Sequence, residues 1–292
     1  MVTYKEYKSI LSSKNNMNIY RGCTHGCIYC DSRSEIYGMT NNFENVEVKT
    51  NALELLGEAL SKKRNKCMIT TGAMTDPYIP LEKELKNTRR CLEVIERHGF
   101  GVSLLTKSDL ILRDLDILKR INQKTKCVVQ MTLTTFDEEL CKILEPNVCS
   151  TKRRYEVLME MHQAGISTVV WLTPILPFIN DNEENILGLL DYCQKANVKA
   201  LLSFGVGMTL RDGNREYFYK KLDEHFPELK KEYMKRYGLS YGILSPNSNK
   251  LTRIINSFCS ENNVIHGEKD VFSFCSHFPE QDNQLTLFDI EQ

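Results

Sequence analysis

The sequence lacks a net charge, a long apolar run and an apolar stretch near its start, and each absence excludes a class of function. The 292 residues carry 38 basic and 38 acidic side chains. No global field therefore steers the chain toward nucleic acid or an anionic membrane, and any nucleic-acid contact must come from a local patch. No apolar run approaches the length of a membrane span, and residues 1–7 lack the h-region of a signal peptide. We therefore expect a cytoplasmic protein with no membrane partner.

Three cysteines stand close together in the first tenth of the chain. Cys23, Cys27 and Cys30 form a C-x3-C-x2-C run in which three soft thiolates can converge on one metal centre. A cubane iron-sulfur cluster is normally held by four cysteines. A triad leaves one iron with an open position, as catalytic zinc sites keep a vacant position. Gly22 and Gly26 let the chain fold tightly around a bulky inorganic core. The run therefore predicts a chemical site on a short loop.

Zinc and disulfide interpretations of these cysteines stay open from the residues alone. With His25 the run could form a Cys3His zinc site, although zinc sites usually draw their second ligand pair from a distant loop. Cys259, Cys275 and His277 could supply that pair. A disulfide framework is less favoured, because 11 cysteines is an odd number in a chain without secretory context.

Apolar, β-rich runs alternate with amphipathic helical stretches along the chain. Strands are predicted at 17–20, 67–71, 101–106, 127–132, 167–173 and 200–204. Helices are predicted around 51–62, 85–97, 110–121, 152–164 and 184–195. Six βα units with right-handed crossovers are fewer than the eight that close a full barrel. The predicted fold class is α/β, with a partial (β/α)6 barrel that is open on one side.

Polar motifs follow the predicted strands, at the edge where parallel α/β folds gather their chemistry. The second strand is followed by T-G-A-M-T-D-P-Y-I-P-L-E and the third by T-K-S. The fourth is followed by T-L-T-T, E-P and R-R, and the fifth by P-I-L-P-F-I-N-D. Each motif alone has a plain structural explanation, such as a turn or a strand terminator. Their common position at strand ends predicts a composite site.

The cysteine run and Tyr29 resemble the cluster loop of the radical S-adenosylmethionine (SAM) superfamily. The later motifs, taken in order over residues 15–205, resemble its branch related to spore photoproduct lyase. The resemblance implies that Cys23, Cys27 and Cys30 hold a 4Fe-4S cluster whose fourth iron is chelated by SAM. One electron, from a donor such as flavodoxin or ferredoxin, would then split SAM. The resulting 5'-deoxyadenosyl radical would abstract hydrogen from the substrate.

The resemblance also implies which residues contact SAM. By position, Lys107 would neutralise the SAM carboxylate, and Thr75 and Asp76 would contact the amino-acid end. Thr132 would bond the ribose hydroxyls, and the backbone of Tyr29 would touch the adenine. These five residues are the predicted cofactor contacts.

In two places the chain departs from photoproduct lyase itself. Ala73 stands where that enzyme has a hydrogen-donating cysteine, and Asp31 stands where it has a tyrosine after the third cluster cysteine. We therefore do not predict thymine-dimer lysis by the same route. Cys259 or Cys275 could return a hydrogen atom to a substrate radical, although a free thiol more often serves as a small apolar side chain.

The chain after the predicted barrel core at 1–205 divides into two further parts. Residues 206–275 should form a mostly helical extension that caps the open side of the barrel. The candidate substrate contacts in it are Arg211, Asp212, Arg215 and Tyr217. A structural role is equally open, because Arg-Asp-Gly is a common turn and Tyr217 could begin a core helix.

Residues 276–292 should form a flexible tail. Gln284, Leu285, Leu287 and Phe288 give the pattern Q-L-x-L-F, which resembles the bacterial sliding-clamp binding motif. The alternative is a tail that folds back onto its own core. The resemblance predicts a sliding clamp as a partner.

Two classes of function follow. The first is a radical SAM enzyme that acts on nucleic acid, in repair or modification, with a peptide or small molecule as the rival substrate. Basic clusters at 62–66, 89–90, 152–154 and 230–231 could contact phosphates, although helices also carry such residues for solvation. The second class is a noncatalytic, zinc-stabilised adaptor that docks through its tail.

Overall fold

The computed structural model describes residues 1–38 and 42–279. Its strands are β1 (Val2–Lys5), β2 (Asn16–Met17), β3 (Tyr20–Arg21), β4 (Val46–Lys49), β5 (Met68–Thr71), β6 (Gly101–Thr106), β7 (Cys127–Thr132), β8 (Ser167–Trp171), β9 (Ala200–Leu202), β10 (Gly207–Thr209), β11 (Gly242–Leu244) and β12 (Ile265–His266). Its α-helices are α1 (Ala52–Ser61), α2 (Glu82–Leu85), α3 (Asn87–Arg97), α4 (Leu115–Lys124), α5 (Glu138–Leu144), α6 (Thr151–Gln163), α7 (Glu183–Lys195), α8 (Asn214–His225), α9 (Leu229–Tyr237), α10 (Ser248–Glu261) and α11 (Glu268–Ser276). Short 3-10 helices span Asp31–Arg33, Glu35–Tyr37 and Asp109–Asp114.

Seven of these strands form one parallel sheet in the order β12-β9-β8-β7-β6-β5-β2. All six residues of β6 and all six of β7 are buried, as expected for central strands that are covered on both faces. The crossover helices bury apolar residues at helical spacing, such as Leu92 and Ile95 in α3. The predicted α/β partial barrel is confirmed, and β12 adds a seventh strand to the six predicted ones.

The first predicted strand, 17–20, is two strands in the structure. β2 pairs with β5 in the barrel, whereas β3 pairs with β4 in a separate three-stranded sheet of order β1-β4-β3. The chain therefore changes sheets at Asn18 and Ile19, which a local pattern does not reveal. Another difference is that the predicted 167–173 strand ends at Trp171, just before the Thr173–Pro174 step. Proline has no N–H to donate to a neighbouring strand.

The extension after the barrel is mostly helical, as predicted, and it also closes the sheet. Helix α11 contacts both β5 and β9, which three strands separate in the sheet, so the sheet curves around this helix. Val271 and Cys275 of α11 pack among Met68, Val128 and Val169 of the sheet. Ahead of α11, the antiparallel pair β10–β11 brackets α8 and α9. Among the described residues, no helix is long and apolar enough to cross a bilayer.

Candidate active site

The three cysteines of the C-x3-C-x2-C run lie on one short loop directly after β3. Cys23 and Cys27 are buried, whereas Cys30 is half-buried and lines a cavity at the end of the barrel strands, which we call the main cavity. Burial is the largest cause that raises the pKa of Cys23, followed by the charge of Asp76 and then by the nearby thiols of Cys30 and Cys27. Burial likewise raises the pKa of Cys27 to about 12. Metal binding here would therefore release protons, because a ligand thiol must be deprotonated.

The cysteine loop is fastened to the segment that follows α5. The Ile28 N–H donates to the Leu144 carbonyl at 3.0 Å, and the Asn147 N–H donates to the His25 carbonyl at 3.1 Å. Gly26 has φ +73°, and a Cβ added there would lie 3.1 Å from Pro146 Cγ. A side chain at this glycine would therefore be strained and crowded, which explains the residue type. The E-P motif found in the sequence thus supports the cysteine loop.

A buried ion pair connects this loop to the end of β7. The Tyr29 hydroxyl donates to Glu145, whose other carboxylate oxygen accepts from the fully buried Arg154. Arg154 also donates to the Thr132 carbonyl at 2.8 Å and to the Cys149 carbonyl at 3.1 Å. Burial raises the pKa of Glu145, but the charges of Arg154 and Lys107 outweigh it, so the net pKa is lowered. The carboxylate is therefore ionised at neutral pH.

The main cavity has a volume of about 530 Å³ and opens beside Cys30. Such a volume is ordinary for a cofactor or substrate site. Its inner wall is formed by the cysteine loop and by the carboxyl ends of β6 and β7; the polar residues of this wall are Tyr29, Asp31, Ser32, Lys107 and Thr132. The structure thus brings three of the predicted SAM contacts, Tyr29, Lys107 and Thr132, to one cavity.

Lys107 places a cation in this wall. Burial lowers the pKa of this amine, but the carboxylates of Glu145 and Asp76 raise it above its usual value, so the amine stays protonated at neutral pH. Within the described part of the chain, the ammonium makes no hydrogen bond or ion pair. Lys107 is half-buried, and its ammonium gives up part of its hydration without gaining a hydrogen bond in return. The site therefore suits a ligand that brings a carboxylate.

Asp76 has a different environment from the one predicted. One of its carboxylate oxygens accepts from the Tyr78 N–H and the Thr106 hydroxyl, both at 2.8 Å. The other accepts from the Lys107 N–H at 2.8 Å and lies 3.5 Å from His25 Nδ1. Asp76 thus joins the ends of β5 and β6 to the cysteine loop. Its contact with SAM stays a prediction.

Thr75, the neighbouring predicted contact, is buried and lines a second, smaller pocket of about 180 Å³. This pocket lies between the cysteine loop and the three-stranded sheet, and its polar residues include Asn18, Arg21 and Lys49. The structure therefore does not bring Thr75 to the same cavity as Lys107, and its contact with SAM also stays a prediction.

Gly72 shapes the floor of the main cavity. It has φ +102°, and a Cβ built on it would lie 1.9 Å from the Leu105 carbonyl oxygen. No side chain fits there, so the loop after β5 runs against the end of β6 and leaves space above it. The close backbone approach that the sequence indicated at this glycine is present.

The four predicted substrate contacts lie outside the main cavity. Arg211 donates to the hydroxyls of Tyr37, at 3.1 Å, and Tyr241, and its Nε lies 3.5 Å from Asp31. Arg215 donates to the Leu210 carbonyl at 2.6 Å. The contacts of Arg211 with Asp31 and Tyr37 tie the extension to the segment that follows the cysteines, whereas the Arg215 hydrogen bond lies within the extension.

Of the other two residues, Asp212 accepts a hydrogen bond from Arg215 at 2.8 Å through its carboxylate. The Arg33 guanidinium lies over the Tyr217 ring, with its carbon 3.7 Å from the ring centroid. Arg211, Asp212 and Arg215 line a separate groove on the outside, and Tyr217 lines neither space. A substrate role for the four therefore stays a prediction: Arg211 reaches Asp31, next to Cys30, but none of the four lines the main cavity.

The outer wall of the cavity was missed by the sequence analysis. It is apolar and is formed by Trp171, Phe204, Met208, Ile243 and Leu244. The Trp171 indole donates to Gln130 at 2.7 Å, and its ring meets the Phe204 ring edge-on with centroids 5.8 Å apart. Trp171 ends a barrel strand, so its position could have been noticed. No local sequence pattern indicated the β10–β11 pair.

The zinc interpretation finds no support in the arrangement. His25 is buried beside Asp76, and burial lowers its pKa. Cys259 packs in α10 in the core shared with α7, and Cys275 lies inside the curved sheet. Within residues 1–38 and 42–279, no three His, Cys, Asp or Glu side chains could hold a metal ion. A cubane needs its thiolates farther apart than a single ion does, because each thiolate binds a different iron.

Comparison with known proteins identifies the group to which this arrangement belongs. The Radical SAM superfamily matches residues 17–190. A relative in Methanocaldococcus jannaschii, named Uncharacterized protein MJ0683, is 33% identical over 178 residues, which are 60% of this chain and 65% of the relative. The chain thus spans slightly under two thirds of that relative. The Radical SAM Nalpha-GlyT isomerase of Pseudomonas phage M6 is 25% identical over 162 residues, 56% of this chain and 33% of the isomerase.

The solved structure of spore photoproduct lyase complexed with dinucleoside spore photoproduct superimposes with a TM-score of 0.64. The superposition covers 91% of this chain and 81% of the lyase at 13% sequence identity, which shows a shared fold. Another structure of this lyase contains bound AdoMet, which is SAM. The predicted similarity to this branch is therefore confirmed at the level of the fold.

Proposed function

Because the chain belongs to the radical SAM superfamily, whose members use an iron-sulfur cluster and SAM, we propose that it cleaves SAM reductively at a 4Fe-4S cluster and abstracts hydrogen from a substrate. The observation that carries this proposal is one cavity lined both by Cys30, the last cysteine of the run, and by Lys107, whose ammonium has no hydrogen bond or ion pair within the described part of the chain. Three thiols fit a cubane with one open iron. The Lys107 ammonium fits the carboxylate of SAM.

The bound cluster and SAM would together supply the electron transfer and the 5'-deoxyadenosyl radical that removes hydrogen. The chain supplies the binding and the shielding. Cys23, Cys27 and Cys30 would hold three irons. Lys107 would hold the SAM carboxylate in place, and Thr132 and Tyr29 line the same wall for the ribose and adenine.

The Tyr29–Glu145–Arg154 chain would keep the cysteine loop rigid. Arg154 is fully buried and is satisfied by two carbonyls and a carboxylate. Because Glu145 also accepts from Tyr29, the loop between Cys27 and Cys30 is fixed to β7, on which Thr132 lies. Fixed positions of this kind are what a cofactor site requires for its reacting atoms.

The apolar outer wall favours a substrate that presents an uncharged group to SAM. Trp171 and Phe204 offer aromatic surface, and Met208 and Leu244 complete the wall. A substrate that covers this wall would also exclude water from the reacting groups.

A nucleic-acid substrate, in repair or modification, is the second candidate. The Trp171–Phe204 pair favours it, because bases stack on aromatic side chains. The basic clusters give it less support. Arg153 pairs with Asp109, Glu156 and Glu160, and Lys230 pairs with Asp223. These cations are neutralised by the protein itself.

Two partners are part of the proposal. An electron donor of the flavodoxin or ferredoxin type is required, because each SAM cleavage consumes one electron.

A sliding clamp would bind Gln284, Leu285, Leu287 and Phe288, which lie outside the described residues. Loss of clamp binding should follow Phe288→Ala, and a protein lacking 280–292 that still binds the clamp would contradict this partner. We propose a cytoplasmic location, where thiols stay reduced.

The test is anaerobic reconstitution with iron and sulfide, followed by reduction with dithionite in the presence of SAM. We expect the wild type to take up a cluster and to release 5'-deoxyadenosine, and Cys27→Ala to do neither. Cys67→Ala is the matched control, because Cys67 is a half-buried thiol remote from the loop. Bound zinc, or a cluster that never cleaves SAM, would contradict the proposal.

A further inference from the structure

A second concave surface lies outside the main cavity. This outer groove has a volume of about 640 Å³. Its lining residues are Glu35, Ile36, Leu210, Arg211, Asp212, Arg215, Leu239 and Tyr241. Arg211 joins this groove to Asp31, but the contacts of the cysteines, the ion pair and Lys107 do not account for its apolar residues, so its composition calls for a separate explanation.

The outer groove is adjacent to the main cavity along three segments of chain. The segment after the third cysteine lines the cavity at residues 31–32 and the groove at 35–36. The segment through β10 lines the cavity at 207–209 and the groove at 210–212. The segment through β11 lines the groove at 239 and 241 and the cavity at 242–244. A chain molecule lying in the groove can therefore extend toward Cys30.

Exposed apolar side chains dominate the outer groove. Ile36 is 73% exposed, Leu239 is 84% exposed and Tyr241 is 56% exposed. Three large apolar residues together on one concave surface, and so far exposed, indicate a place where another molecule is bound. Aromatic and aliphatic anchors of this kind supply most of the energy in protein interfaces.

The charges of the outer groove select the class of molecule. Both arginines are engaged within the protein, since Arg211 contacts Asp31 and two tyrosine hydroxyls, and Arg215 donates to the carbonyls of Leu210 and Leu239. The two carboxylates are exposed, Asp212 with a side chain that is 78% exposed, but Asp212 is paired with Arg215 at 2.8 Å, so Glu35 is the carboxylate available to a ligand. A phosphate backbone would meet these carboxylates without an available cation, which disfavours nucleic acid.

We propose that the outer groove binds a segment of polypeptide that carries an apolar side chain beside Lys or Arg, and that this segment leads the substrate into the cavity. The apolar side chain would pack on Ile36, Leu239 and Tyr241, and the basic side chain would face Glu35. This inference rests on the proposed function only where it calls the polypeptide a substrate.

The probes are three fluorescein-labelled molecules of similar length: a peptide with Leu and Phe flanked by Lys, the same peptide flanked by Glu, and the oligonucleotide dT12. Each is titrated against reconstituted wild-type protein under anaerobic conditions, with fluorescence anisotropy as the readout. Leu239→Ser and Glu35→Gln test the groove. Leu187→Ser and Glu54→Gln are matched controls, because both side chains are exposed on other helices.

We expect the Lys-flanked peptide to bind most tightly. Leu239→Ser should weaken that binding about tenfold, because an exposed anchor is removed. Glu35→Gln should weaken it about threefold and reduce its salt dependence, as for a charge at an interface rim. Neither control should change it.

Tighter binding of dT12 than of the Lys-flanked peptide, or the same affinity in wild type and Leu239→Ser, would overturn the inference. So would the absence of peptide binding up to about 1 mM. The anisotropy assay does not require SAM cleavage. A protein that binds the peptide but releases no 5'-deoxyadenosine would contradict the proposed function alone, and the reverse result would contradict the groove alone.

Discussion

The two walls of the main cavity differ in polarity and in exposure to solvent. The inner wall consists of the cysteine loop and the carboxyl ends of β6 and β7. Its polar groups are fixed by buried hydrogen bonds and by the Glu145–Arg154 ion pair. The outer wall is apolar, and two of its side chains are largely exposed, Phe204 at 46% and Leu244 at 58%. A rigid polar wall suits a cofactor of fixed chemistry, whereas an exposed apolar wall suits a larger molecule that enters from solvent.

The largest effect is expected from breaking the support of the inner wall. Arg154→Met should lower the free energy of unfolding by about 3–5 kcal/mol, because it leaves Glu145 buried without its cation. Arg153→Met is the matched control, since that side chain is partly exposed and its ion pairs should contribute only about 0–1 kcal/mol. Urea denaturation of both variants measures the difference. Equal losses would show that the buried pair does not hold the wall.

A pair of glycines compares the two walls directly. Gly72→Ala should cost about 2 kcal/mol or more, because φ is +102° and the added Cβ would lie 1.9 Å from the Leu105 carbonyl oxygen. Gly242→Ala in the outer wall should change stability by less than about 0.5 kcal/mol, because a Cβ there meets nothing within 4 Å. Thermal denaturation compares them. A tolerated Gly72→Ala would mean that the loop after β5 is not packed as described.

The ionisation of Glu145 gives the inner wall a dependence on pH. Burial raises the pKa of this carboxyl, but Arg154 and Lys107 lower it below its usual range. Its stabilisation is therefore complete above the usual pKa of about 4.5 and is lost as pH falls through the folded pKa. The difference in unfolding free energy between wild type and Glu145→Gln should be about 1–3 kcal/mol at pH 7 and should shrink below pH 4.5. A difference that is constant with pH would contradict the ionised pair.

The smallest effect is expected at the outer wall. Phe204→Ala should cost less than about 1 kcal/mol, because the ring is 46% exposed and packs mainly on Trp171. Leu202→Ala, two residues earlier in β9, removes a fully buried side chain and should cost about 2–5 kcal/mol. Chemical denaturation separates the two. Similar losses would show that the outer wall is part of the core.

The difference between the inner and outer walls also explains which features could be predicted from the sequence. The cysteine spacing, the alternation of strands and helices, and the strand-end positions of Lys107 and Thr132 are local features of the sequence. The structure brings Cys30, Lys107 and Thr132 to one cavity. Asp76 could not be placed, because its partners Thr106 and His25 are brought to it only by the fold. The β10–β11 wall was missed, because its strands are three residues long and α8 and α9 separate them along the chain.

The most direct test of the account is the affinity of the reconstituted protein for SAM, measured by anaerobic titration calorimetry in wild type, Lys107→Met and Phe204→Ala. If the inner wall holds SAM and the outer wall holds the substrate, Lys107→Met should weaken SAM binding by about tenfold or more, and Phe204→Ala should leave it within about twofold of wild type. Full SAM affinity in Lys107→Met, or equal losses in the two variants, would contradict the division of the cavity into a cofactor wall and a substrate wall.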